Sequence, residues 1–483
     1  MLRRYLALIT FATAQTVLIE NAEELSGTDE VRHLRGAVVL RQDTIQLFCQ
    51  EATLYATNAF QAQGAVRTLV GQSGTITAQT LSYDPTTRLL TYQGKVIATF
   101  GAITLRTEYL TYDRHNETAS YTGGGALTDT SGTIYSTNAT YHVPTATATF
   151  AQAVRIERPP YTARTDTLLY KIDSNLAIFP RPFILYHTTQ AETLSAATGH
   201  WNRQDSLLTL QANVQWRTPE LILRAHFAFY DQKADTGFAA CDVFYKSRKG
   251  RGWGIADSAF WHPDTLTLKD NVAAFLFTEQ DTAFLQGCLA YLILPHLYLI
   301  GQATFLHPPL AATADTLLYD TLAQKLYLLG HAWLHSYPYQ LFAQQIHLTL
   351  PQQTPDSLMA VGNVFTTSEI NTRLRFYNQV QSDSLLAQWD STIQAFSPIH
   401  YRHHLRAVYY QTDGPYYQGA HEILNAQSLF ITLGPNRQPI YLRLETQSQG
   451  RFIPVKFLLK SPLFLPAFQW RSRSHQPLWP IQP

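Results

Sequence analysis

Polar and apolar residues alternate with a period of two over short runs, as where Val96, Ala98 and Phe100 oppose Lys95, Ile97 and Thr99. This is the pattern of half-buried strands. The runs recur. Starting at Tyr55, an aromatic residue returns at Tyr83, Tyr112, Tyr141 and Tyr170, at steps of 28, 29, 29 and 29. The series continues through Trp201, Tyr230, Trp261, Tyr291 and Tyr319, passes Leu348, and reaches Tyr377, Tyr410 and Tyr441. A fixed period of this size marks a repeat architecture in which single units cannot bury their apolar faces alone. Tyr-Asp followed by a few polar residues, as at Tyr83-Asp84 and Tyr112-Asp113, reads as a hairpin turn, so consecutive strands run antiparallel.

Seven residues before the aromatics stand Phe48, Ile76, Leu105, Ile134 and Ala163; thirteen after them stand Val96, Val154, Val214, Val243 and Ala332. Seven is odd, so Ile76 and Tyr83 cannot share a face of one flat strand. A bulge or sharp bend between them would return both to one interior. Strands bent midway would stack as two facing layers around a continuous apolar stripe.

Composition sharpens the class. The chain is 45% hydrophobic, 12% aromatic and only 15% charged, against about 25% charged in ordinary domains. Its net charge of +1 offers no basic face for nucleic acid. Leu2-Arg3-Arg4, the apolar Tyr5 to Phe11 and the small Ala12-Thr13-Ala14 read as a signal peptide over residues 1–14, and so predict export to the periplasm. Cys49, Cys241 and Cys288 are odd in number and far apart, and imply no disulfide framework.

Candidate chemistry is sparse. His400, His403 and His404 lack spaced carboxylate or cysteine partners, so no metal site is expected. Gly250 to Gly254 lacks the strand-to-helix setting of a nucleotide loop. Asp84, Asp113, Asp231 and Asp320 recur as carboxylates on a polysaccharide-cleaving β-helix would, but they open turns, where Asp has a local reason to be. The expectation is a chain that is not an enzyme and needs no cofactor.

Units reading Gly-x-Val, then Thr-Leu and Leu-x-Tyr-Asp, resemble the OstA/LptA-like family of lipopolysaccharide-transport proteins, most clearly over residues 30 to 175. The resemblance implies an all-β, elongated, two-layered antiparallel β-jelly roll, taco-like and open along one side, here built from repeats of about 29 residues. It implies a non-enzymatic bridge that shields the acyl chains of lipopolysaccharide, or a related glycolipid, between inner and outer membrane. LptC-like inner-membrane and LptD-like outer-membrane components would join by edge-to-edge strand pairing, as could further copies of the chain.

The expected organisation is a repeat roll over 15–240, a degenerate continuation over 241–450 and a Pro-rich tail over 451–483. Candidate lipid-lining residues are Val66, Ile76, Leu81, Tyr83, Val96, Leu105, Leu110, Tyr112, Ile134, Tyr141, Val154 and Tyr170. For the aliphatic members, ordinary core packing explains the pattern as well as a trough does. The tyrosines could equally form a ladder touching only one another. A second reading keeps the roll but gives it a dry core and a scaffold role toward proteins or glycans.

Overall fold

A computed structural model describes residues 17–42, 45–70, 74–130, 132–202, 204–250, 252–277, 282–293, 295–351, 354–414, 416–445 and 448–471. The signal-peptide segment lies outside the described residues. The chain divides into two compact units, Met1–Gly237 and Phe238–Pro483. The regular structure of the described residues is almost all strand, with one helical turn at Val455–Leu458.

In the first unit the strands Ile45–Tyr55, Phe60–Val70, Gly74–Asp84, Leu89–Phe100 and Ile103–Asp113 each pair antiparallel with the next. Their Thr, Val, Ile and Tyr content suits a pleated, half-buried surface. The Tyr-Asp turns form as the sequence implies. The Asp84 carboxylate accepts hydrogen bonds from the Thr86 amide and the Thr87 hydroxyl, both at 2.8 Å. Asp113 accepts the amides of His115 and Asn116, and Asp320 those of Leu322 and Ala323. These bonds hold all three carboxyls below the usual carboxylate range. The recurring aspartates are thus tied up in turn geometry.

The bend between Ile76 and Tyr83 is present. Every long ladder of the first unit slips at its middle, between Gln63 and Val66, Thr77 and Thr80, or Gln93 and Val96. In Gly74–Asp84 the slip leaves Gln79 and Thr80 successively exposed. Ile76 and Ala78 therefore face the same side as Leu81 and Tyr83. On the partner strands the slip is made by two consecutive left-handed residues, such as Gly64-Ala65 (φ 81° and 49°) and Gly94-Lys95 (φ 81° and 48°). The device recurs at Gln152-Ala153 and Ala212-Asn213, and in the second unit at Cys241-Asp242, Asp270-Asn271, Gly330-His331, Gly362-Asn363 and His403-His404. At Gly94 a side chain would also run into Gln79. Between Thr118–Tyr121 and Gly125–Asp129 the strand breaks at another positive-φ pair, Gly123-Gly124 (φ 82° and 108°).

These corners fold each strand onto itself. Tyr92 precedes its corner and Thr68 follows its own, six residues apart along the ladder. In a flat sheet that separation is about 20 Å. Yet the Tyr92 hydroxyl lies 3.4 Å from Thr68 Oγ1. The first unit is therefore two facing antiparallel layers: a turn layer whose strands meet at the Asp turns, and an opposite layer beyond the corners. The fold class is the expected β-jelly roll.

The second unit repeats the corner, but its strands lengthen to 15 residues in Ser357–Asn371 and Phe376–Asp390, and to 19 in Ala395–Asp413. The tail packs against the second unit. Its described part, to Arg471, lies across the unit's outer face and completes a cluster of Trp333, Phe342, Phe365, Phe376 and Tyr410 with Leu458 and Leu465.

Candidate functional site

The twelve candidate residues divide evenly between the layers of the first unit. Val66, Ile76, Val96, Leu105, Ile134 and Val154 lie in the opposite layer; Leu81, Tyr83, Leu110, Tyr112, Tyr141 and Tyr170 lie in the turn layer. Nine are buried, while Leu105, Tyr83 and Tyr141 are half-buried. Val66, Val96 and Val154 directly follow the left-handed corner pairs and are 1% exposed, which makes them the packing of the bend.

Five of the twelve meet around one space between the layers. Ile76 and Leu105 from one side, and Leu110, Tyr112 and Tyr141 from the other, line a cavity of about 110 Å³. Among the described residues no charged side chain lines it. Leu81 and Tyr83 line a smaller neighbouring space of about 50 Å³, bordered by Arg41 and Arg114. Arg114 donates to the Tyr83 hydroxyl at 3.3 Å and sits over its ring. Tyr170 borders neither space; its hydroxyl donates to Asn175, and Arg158, ion-paired to Asp129 at 3.1 Å, lies over its ring.

Sequence reasoning overlooked the rest of the lining. Tyr92, Tyr121 and Phe150 also face the cavity, and with Phe179 they stand nine residues after Tyr83, Tyr112, Tyr141 and Tyr170. A second aromatic column with the same period was therefore there to be read. It sits just before the corners, where a ring must fill the bend. Burial pushes the Tyr92 and Tyr112 hydroxyls up to about 12, so both stay protonated near neutral pH. A space lined mainly by hydrocarbon accepts apolar matter.

The histidines take structural places. His403 and His404 form a corner pair, His404 is paired to Asp383 at 2.6 Å, and His400 stacks on Phe430. No group of three metal-ligating side chains is assembled among the described residues.

The first unit is thus a roll of bent antiparallel strands with an apolar space between its two layers. Residues 14–166 match the model of the family described as OstA-like protein. The matched segment is just under a third of the chain's 483 residues. Among solved structures it is similar to LptH of Pseudomonas aeruginosa, described as the LptA-homologous periplasmic component of the lipopolysaccharide transport device. That match has 13% identity over 34% of this chain and 80% of the other, with a TM-score of 0.10. So low a score supports nothing further. No curated protein matches the sequence.

Proposed function

We propose that the protein is a non-enzymatic periplasmic carrier that passes lipopolysaccharide, or a related glycolipid, from the inner toward the outer membrane. The observation carrying this reading is the apolar inter-layer cavity, which lies within the segment matching the OstA-like family. Moving an acylated lipid through water requires its chains to be covered, at about 0.8 kcal/mol per CH₂. A rigid bent sheet does this without chemistry: acyl chains enter between the layers while sugars and phosphates stay in water. Leu105, Leu110, Tyr112 and Tyr141 are the contacts the geometry favours within the candidate set.

Partner binding follows from the edges. The strands Leu18–Asn21 and Glu24–Gly27 are short and exposed along their length, and Pro439–Glu445 carries Ile440 and Tyr441 at 69% and 55% exposure. Open edges of this kind accept a strand from another sheet. LptC-like and LptD-like components, or another copy of the chain, are the proposed partners.

Photo-crosslinkers placed in living cells test the carrier reading. Probes at Leu105 and Leu110 should capture glycolipid, while one at the outward Ile97, 39% exposed, should not. Equal, background capture at all three positions would leave the dry-core scaffold as the better account.

A further inference from the structure

The hydroxyl groups around the first unit's cavity differ in their hydrogen bonding. The Tyr92 hydroxyl bridges to Thr68, and the Tyr121 hydroxyl pairs with Ser136 Oγ at 2.7 Å. Tyr112 lines the same cavity and is 4% exposed, and its hydroxyl is buried with no hydrogen-bond partner among the described residues. A buried donor without a partner is destabilising, and native structures rarely retain one without a use. Phenylalanine would fill the same place at no such cost. The lining around it is mainly hydrocarbon.

The position of the ring says where the missing partner would sit. Tyr112 is the last residue before Asp113 and the turn to Glu117, so it stands at the turn end of its layer, not at the corner. Leu110, two residues deeper on the same face, is wholly apolar ground. A lipid chain lying against Leu110 and Ile76 with its head toward the turns would carry its first polar atom past Tyr112. In an acylated lipid that atom is the carbonyl oxygen of the ester or amide joining chain to head. It accepts hydrogen bonds and donates none, and so matches a protonated phenol.

We propose that the Tyr112 hydroxyl is a specificity-determining donor that reads the carbonyl at the head of a bound acyl chain, and so selects acylated lipids over plain alkyl ones. This rests on the lipid-carrying reading and adds a polar checkpoint to it. Tyr112 also sets the depth of insertion, since the bond forms only when the chain has entered as far as its carbonyl.

The experiment titrates the full chain with two probes of equal length, 1-lauroylglycerol and its ether analogue 1-O-dodecylglycerol, which differ in the carbonyl. The wild type should bind the ester about tenfold more tightly, the worth of one hydrogen bond made in a dry site. Tyr112→Phe should bind both probes alike, at the wild type's affinity for the ether. Empty Tyr112→Phe should also melt no lower than wild type, and by about 2 °C higher, because an unsatisfied buried group is gone. A Tyr112→Phe protein that keeps the ester preference, or melts lower because the hydroxyl had a structural partner, overturns the proposal. Equal binding of both probes by the wild type overturns it too, leaving the carrier reading intact. Binding of neither probe removes the carrier reading along with it.

Discussion

In the first unit the strand Leu89–Phe100 hides one face: Tyr92, Val96, Ala98 and Phe100 are buried, and the residues between them are half-buried or exposed. In the second unit the strand Tyr339–Thr349 hides both. Leu341 lines a small inter-layer cavity with Leu334, Leu358, Leu385 and Tyr401, while its neighbours Gln340 and Phe342 are buried on the opposite face. What buries them is the segment after Ser461. Gln340, fully buried, accepts the Arg471 amide at 2.9 Å and donates to the Arg471 carbonyl at 2.7 Å. Gln379, equally buried, does the same with the Leu465 amide and the Leu463 carbonyl. The Arg471 guanidinium lies 4.8 Å from the Trp333 ring centre and reaches Thr313. One corner design thus serves two ends. One space between the first unit's layers measures about 110 Å³, whereas the one beneath Leu341 in the second unit measures about 50 Å³ and a third layer lies outside it. The roomier space fits the proposed carrier role, and the strap adds a packed outer layer.

The sharpest way to break this comparison is to stop the chain after Lys460. Losing Leu463, Leu465 and Phe468 from an aromatic face should cost the second unit about 5 kcal/mol. Hydrogen exchange should show lost protection in 339–349 and 376–390, with 89–113 unchanged. If protection is unchanged throughout, the strap is not a structural layer.

A corner substitution should hit the first unit next hardest. Gly94→Val places a β-branched residue at φ +81° against Gln79, and should cost about 2–3 kcal/mol in denaturant unfolding. Gln379→Ala, leaving the Leu463 and Leu465 backbone groups without their partner, should cost the second unit about 2 kcal/mol in the same measurement.

Filling the two interiors should separate them by sign of effect. Ala98→Leu points into the larger cavity and should leave stability within about 1 kcal/mol while lowering lipid capture. Ala387→Leu enters the tighter space and should cost about 1–3 kcal/mol. Equal costs would mean that the cavities do not differ as described.

The smallest effect is shared by both units. The folded-state carboxyls of Asp84, Asp113 and Asp320 lie below their unfolded values, so their contribution is present above the ordinary carboxylate range and fades as pH falls through the lowered value. Thermal midpoints should drop between neutral pH and about pH 3, and Asp113→Ala should make that dependence shallower.

Period and parity alone carried much of this. The 29-residue spacing of Tyr83, Tyr112 and Tyr141, and the odd gap from Ile76 to Tyr83, specify antiparallel strands with a mid-strand bulge, because alternation along a strand admits no other way to put both side chains inside. Asp84 and Asp113 were legible as turn residues because their bonds are local. The sequence did not disclose which candidates border open space: Val96 and Leu110 look alike in the repeat, yet one packs the bend and the other lines the cavity. Nor did it disclose that Gln340 meets Arg471, 131 residues away. Such outcomes depend on how two folded layers, and the segment laid across them, fill volume. Only the tertiary structure decides that, since volume is shared among residues that no local pattern connects.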